Sequence, residues 1–111
     1  MQILISNHTT KPIYEQITSQ IKHAIMNGEL KSGDPLPSMR ALAKDLHISV
    51  ITTQKAYEDL QRDGFIESAA GRGTFVSSQN KEFIREEQLR LAEAKLQEAA
   101  EIGRLNGISL E

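Results

Sequence analysis

Two short amphipathic segments separated by a two-residue turn constrain this chain more than any other feature. The first begins at Leu36-Pro37-Ser38-Met39-Arg40-Ala41-Leu42-Ala43. Ser38 reads as an N-cap, with Leu42, Ala43 and Leu46 forming the inner face of a helix. His47-Ile48 makes the turn, and Ser49 caps a second helix running to about Asp63. Its inward positions are Thr53, Ala56, Tyr57 and Leu60, at helical spacing. So short a connection leaves the two helices no choice but to cross and share one core.

After Gly64 the hydrophobic period changes from helical to extended. Phe65-Ile66-Glu67-Ser68 and Thr74-Phe75-Val76-Ser77 read as the arms of a hairpin whose tip is residues 69–73. Upstream, Pro12 sits where a first helical residue is tolerated. Tyr14, Ile17, Ile21 and Ile25 then give one apolar face, and Asn27-Gly28 stops the helix. Lys31-Ser32-Gly33-Asp34-Pro35 is a turn-rich connector, and Ile3, Leu4 and Ile5 form an apolar arm or edge strand. Three helices plus a β-hairpin predict an α+β fold, a winged helix-turn-helix. In that layout the last helix can fill a DNA major groove while the hairpin reaches an adjacent groove.

With 111 residues the chain has room for about one domain. Zero cysteines exclude disulfides and thiolate metal sites, and they suit a reducing cytoplasm. The apolar run at residues 2–6 is too short for a leader or a membrane span. The net charge of −2 is unusual for a DNA binder. Residues 1–76 carry eight Lys/Arg and eight Asp/Glu, so any DNA affinity has to come from local placement of cations.

From about Gln79 the composition turns rich in glutamate, alanine and leucine. Leu89, Ala92, Leu96 and Ala99 are spaced three, four and three apart, a heptad-like stripe. A narrow stripe of this kind is marginal alone and needs a partner, either its own wing domain or a second copy. The expected division is therefore a DNA-binding domain at 1–76 and a helical dimerisation tail at 77–111, forming a homodimer. Residues 103–107 are expected to interrupt the tail helix, and Ser109-Leu110-Glu111 reads as the start of another.

The ordered matches Pro12-Ile13-Tyr14, Gln16-Ile17, Leu36-Pro37-Ser38, Arg40, Leu42-Ala43, Ser49, Thr52, Ala56-Tyr57, Gly64 and Gly71 to Val76 resemble the GntR family of bacterial transcription regulators. They cover about two-thirds of the chain, and the short helical tail looks like the YtrA-like subgroup. The resemblance implies a dimeric repressor on a palindromic double-stranded operator, often beside ABC transporter genes. It implies no enzyme activity, and the small-molecule effector stays unknown. The chain departs from the family where the recognition helix begins. Val50-Ile51-Thr52-Thr53-Gln54-Lys55 stands where arginines are frequent, so no base preference carries over.

The candidate DNA-binding residues follow from helix ends and the wing. Ser38 with Arg40, and Ser49 with Thr52, stand at helix N-termini whose free N–H groups suit phosphate. Capping alone explains both serines equally well. Arg40 opposes the helix dipole, which an external anion would explain. Val50, Ile51, Gln54 and Lys55 face outward in the first turns of the recognition helix. Gln can pair with adenine and Val can pack on a thymine methyl; the alternative reading makes Ile51 or Val50 partly core. Arg72 between Gly71 and Gly73 can enter a minor groove or hold a phosphate. His8, His23 and His47 lack metal-ligand spacing, so no metal and no cofactor is expected. The competing reading is a winged-helix module that binds protein and not DNA.

Overall fold

The structure, a computed structural model, describes residues 2–78 and 81–107. In chain order it contains α1 (Ile13–Met26), α2 (Met39–Leu46), α3 (Val50–Arg62), β1 (Ile66–Ala69), β2 (Gly73–Val76) and α4 (Lys81–Leu105). The chain divides into two compact units, Met1–Gln79 and Asn80–Glu111.

In the first unit α1 and α2 both pack on α3. Ile17, Ile21, Tyr57, Leu60, Phe65 and Ile66 are fully buried and form its centre. Burying each such side chain stabilises the unit by about 1.5–3 kcal/mol. The inner face expected of α3 is the buried one: Thr53, Ala56, Tyr57 and Leu60. On α2, Leu42 and Ala43 are buried, while Leu46 is only half-buried.

The wing is an antiparallel ladder pairing Ile66 with Val76, Glu67 with Phe75, Ser68 with Thr74 and Ala69 with Gly73. The strands are shifted one residue from expectation, leaving a three-residue tip at 70–72. Phe65 and Ser77 fall outside the named strands, yet the Ser77 N–H still donates to the Phe65 carbonyl at 3.0 Å. The connector carries more structure than its turn-rich composition suggested. Pro35 bridges Phe75, and the Leu36 N–H donates to the Thr74 carbonyl at 2.9 Å. Proline fits there because an edge position needs no N–H. β2 is therefore paired on both sides.

Three further expectations are corrected. Pro12 is the N-cap and not the first helical residue; its carbonyl accepts the Gln16 N–H at 3.1 Å. The arm at residues 3–5 is not a strand, because side chains of α1 satisfy its backbone: Leu4 bonds to Gln20 and Ser6 to Gln16. In the second unit α4 runs straight through Gly103 to Leu105. One glycine costs a helix only about 1 kcal/mol, which strong helix formers on either side offset. The stop comes at Gly107, with φ 70°. The helix expected from Ser109 lies outside the described residues.

Candidate nucleic-acid interface

Buried polar groups fix the angle at which α3 is presented. The Thr53 hydroxyl lies 2.8 Å from the Val50 carbonyl and 3.1 Å from the Met39 carbonyl, tying the start of α3 to the start of α2. One turn later the Tyr57 hydroxyl donates to the Pro37 carbonyl at 2.7 Å. Burial pushes the Tyr57 phenol up to about 12, so it stays a neutral donor across ordinary pH. Between the helices His47 adopts the left-handed conformation, φ 56°, that ends α2 abruptly. Histidine tolerates that region better than most non-glycine residues.

Both expected caps form. The Ala41 N–H donates to Ser38 Oγ, and the Thr52 N–H donates to Ser49 Oγ, each at 3.1 Å. On the outward face of α3, Ile51 is 78 % exposed and Val50 43 % exposed, so neither is core. Gln54 Nε2 donates to Glu58 Oε1 at 3.2 Å. Lys55 is engaged internally: its ammonium pairs with Asp59 at 3.2 Å and lies 5.5 Å from the centroid of Tyr14. Val50, Ile51 and Gln54 are thus exposed in the first turns of α3 together with Lys55, whose ammonium is already paired with Asp59.

A cleft of about 450 Å³ lies between the start of α2 and the wing. It is lined by Ser38, Arg40, Arg72 and Gly73, together with Pro35, Leu36, Met39 and Thr74. No carboxylate lines it, and the first turn of α2 contains no acid. Neither arginine forms an ion pair among the described residues. Arg40 and Arg72 thus border one acid-free cleft beside a helix N-terminus, an arrangement suited to an anion. At the wing tip Gly71 and Gly73 have φ of 81° and 75°, which a side chain would strain. A Cβ added at either would meet nothing within 4 Å, so it is backbone conformation, not crowding inside the chain, that calls for glycine. Sequence reasoning missed Met39 and Thr74 as cleft residues; only the pairing of the connector with β2 brings them there.

Leu89, Ala92, Leu96 and Ala99 lie along α4, and all four are exposed, Leu89 by 54 % and Leu96 by 70 %. Leu91 and Ile102 are also exposed, on a second side of the helix that the single-stripe reading overlooked. Among the described residues no cluster of His, Cys, Asp or Glu could hold a metal ion. None of the described helices is long and apolar enough to cross a membrane.

The geometry is that of a winged helix-turn-helix with a C-terminal helix, and known proteins share it. Residues 13–76 match the model of bacterial regulatory proteins of the gntR family, and the chain belongs to that family. It is 37 % identical over 109 residues to the HTH-type transcriptional repressor YtrA of Bacillus subtilis strain 168, covering 98 % of this chain and 84 % of that one. It is also 42 % identical over 78 residues to the repressor NagR of the same organism, covering 70 % of this chain but 32 % of NagR. Among solved structures, a YtrA of the GntR family from Sulfolobus acidocaldarius superposes with a TM-score of 0.71 at 34 % identity, covering 95 % of this chain and 97 % of that one. The AraR DNA-binding domain in complex with operator ORX1 gives 0.59 at 28 % identity, over 69 % of this chain and 96 % of that domain. These relatives are regulators, and the chain stands with them and not with enzymes.

Proposed function

We propose that this protein is a dimeric, sequence-specific repressor that acts by occupying an operator. The observation that carries the reading is the acid-free cleft shared by Arg40 and Arg72, which come from two different elements. A duplex backbone laid across it would meet both guanidinium groups and the N-terminus of α2. α3 would then enter the major groove, with Val50, Ile51 and Gln54 toward base edges and Ser49 and Thr52 toward phosphate. Thymine methyls suit the two aliphatic side chains, and adenine suits Gln54, whose bond to Glu58 would have to open or be shared.

The first unit has no surplus of positive charge, so one copy offers few phosphate contacts. A second copy joined through the exposed Leu89–Ala99 stripe of α4 would double them across a palindrome. The repressor names of YtrA and NagR support the sign of regulation. Genes for an ABC transporter are the expected neighbours, from the resemblance to the YtrA-like subgroup, and the cytoplasm is where such an operator would be met.

The test is a gel shift of the full chain on DNA upstream of its own gene across a series of salt concentrations. Retention of that DNA over unrelated fragments, with affinity falling steeply as salt rises, supports the reading. Failure to retain any promoter fragment at low salt overturns it in favour of a protein-binding module, for which the exposed Ile51 would serve.

A further inference from the structure

We propose that Phe75 is a positioning residue for DNA binding, its ring holding the Arg72 guanidinium ready for the duplex. The inference rests on the reading above that Arg72 touches DNA. Arg72 Cζ lies 4.3 Å from the centroid of Phe75, well within reach of a cation–π interaction. The two residues belong to one small structural unit, the three-residue tip and the strand that follows it.

The ring is a firm platform. Phe75 sits on β2 opposite Glu67 in the ladder and is bridged on its other side by Pro35, so pairing on both edges fixes its backbone. Its side chain is half-buried. Arg72 by contrast is exposed on an open turn, where a long side chain has many rotamers to lose when it docks. Holding it beforehand reduces that loss.

The nature of the holder matters as much as its rigidity. Glu67 is the nearest acid in the ladder, and its Oε1 instead faces the Ser77 hydroxyl at 3.3 Å. A carboxylate on Arg72 would neutralise the cation and occupy its donors. An aromatic face restrains the guanidinium and leaves its charge and its in-plane N–H groups available to phosphate or base edges.

The experiment compares operator affinity for the full-length chain and four variants, Phe75→Leu, Phe75→Tyr, Arg72→Ala and the Arg72→Ala/Phe75→Leu double, on one duplex selected from random DNA. Phe75→Leu should weaken binding about two- to fivefold. Phe75→Tyr, which keeps the ring, should restore it, and the double variant should bind no worse than Arg72→Ala. Thermal melting of each variant accompanies the titrations. Loss from Phe75→Leu that recurs in full on the Arg72→Ala background makes Phe75 merely structural and overturns the inference, as does unchanged binding by Phe75→Leu. Unchanged binding by Arg72→Ala removes the contact itself, and the inference falls with it.

Discussion

The side chain of Gln20 bonds both main-chain polar groups of Leu4. The Leu4 N–H donates to Oε1 at 2.9 Å, and Nε2 donates back to the Leu4 carbonyl at 2.7 Å. One turn earlier, Gln16 repeats the pattern on Ser6, two residues along the arm, and also donates to the Lys11 carbonyl at 3.0 Å. Two amides four residues apart on α1 thus substitute for a neighbouring strand. Gln16→Ala should destabilise the first unit by about 1–3 kcal/mol, because Gln16 is buried and its loss strands the arm's polar groups. Gln20→Ala, at the exposed end, should cost about 0.5–1.5 kcal/mol. Denaturant midpoints give the ranking, and faster exchange of the Leu4 and Ser6 amides reports the released arm.

Tyr57 makes stability depend on alkaline pH. Its phenol titrates near 10 in an unfolded chain and at about 12 in the fold, so folding favours the protonated form. That contribution is fully present below pH 10 and is lost as pH climbs toward 12, amounting to roughly 2–3 kcal/mol at the upper end. Tyr57→Phe should cost about 0.5–1.5 kcal/mol at pH 7 by removing the bond to Pro37. It should also abolish this part of the alkaline loss. Urea unfolding of both proteins from pH 8 to 12 checks the sign.

Ser49 caps α3 and is proposed to meet a phosphate, and substitutions can separate the two. Ser49→Ala removes the cap on Thr52 and should lower stability by about 0.5–2 kcal/mol. Ser49→Asp keeps a cap but introduces a negative charge where a phosphate is expected. It should therefore restore the melting temperature while weakening operator binding. Recovery of both together would mean that Ser49 only caps.

Leu96 is the more exposed of the two leucines in the α4 stripe. Leu96→Glu should convert dimers to monomers in sedimentation and weaken binding to a palindromic site far more than to a half-site. A dimer that survives the substitution would point to the second exposed side, Leu91 and Ile102, as the interface.

Much of this was legible in the sequence because local signals agreed with one another. Ser38 and Ser49 announce their helices, and Thr53, Ala56, Tyr57 and Leu60 name the buried face of α3. What sequence could not convey was long-range pairing. The bridge from Pro35 to Phe75 and the glutamine clamp on the arm join residues far apart in the chain, with no periodicity to reveal them. The cleft inherits that difficulty. Arg40 and Arg72 each stood out as candidate anion contacts, but their place on one cleft depends on the connector lying against β2. Gly103 misled because a glycine reads as a stop, whereas one glycine within a long run of helix formers is tolerated.

The salt dependence of operator binding, measured side by side for the full chain and Arg72→Ala, decides whether the wing meets DNA. If the wing arginine meets the duplex backbone, Arg72→Ala should weaken binding at low salt and reduce the slope of log affinity against log salt by about one unit per occupied half-site. Parallel lines of equal slope and equal affinity would contradict it.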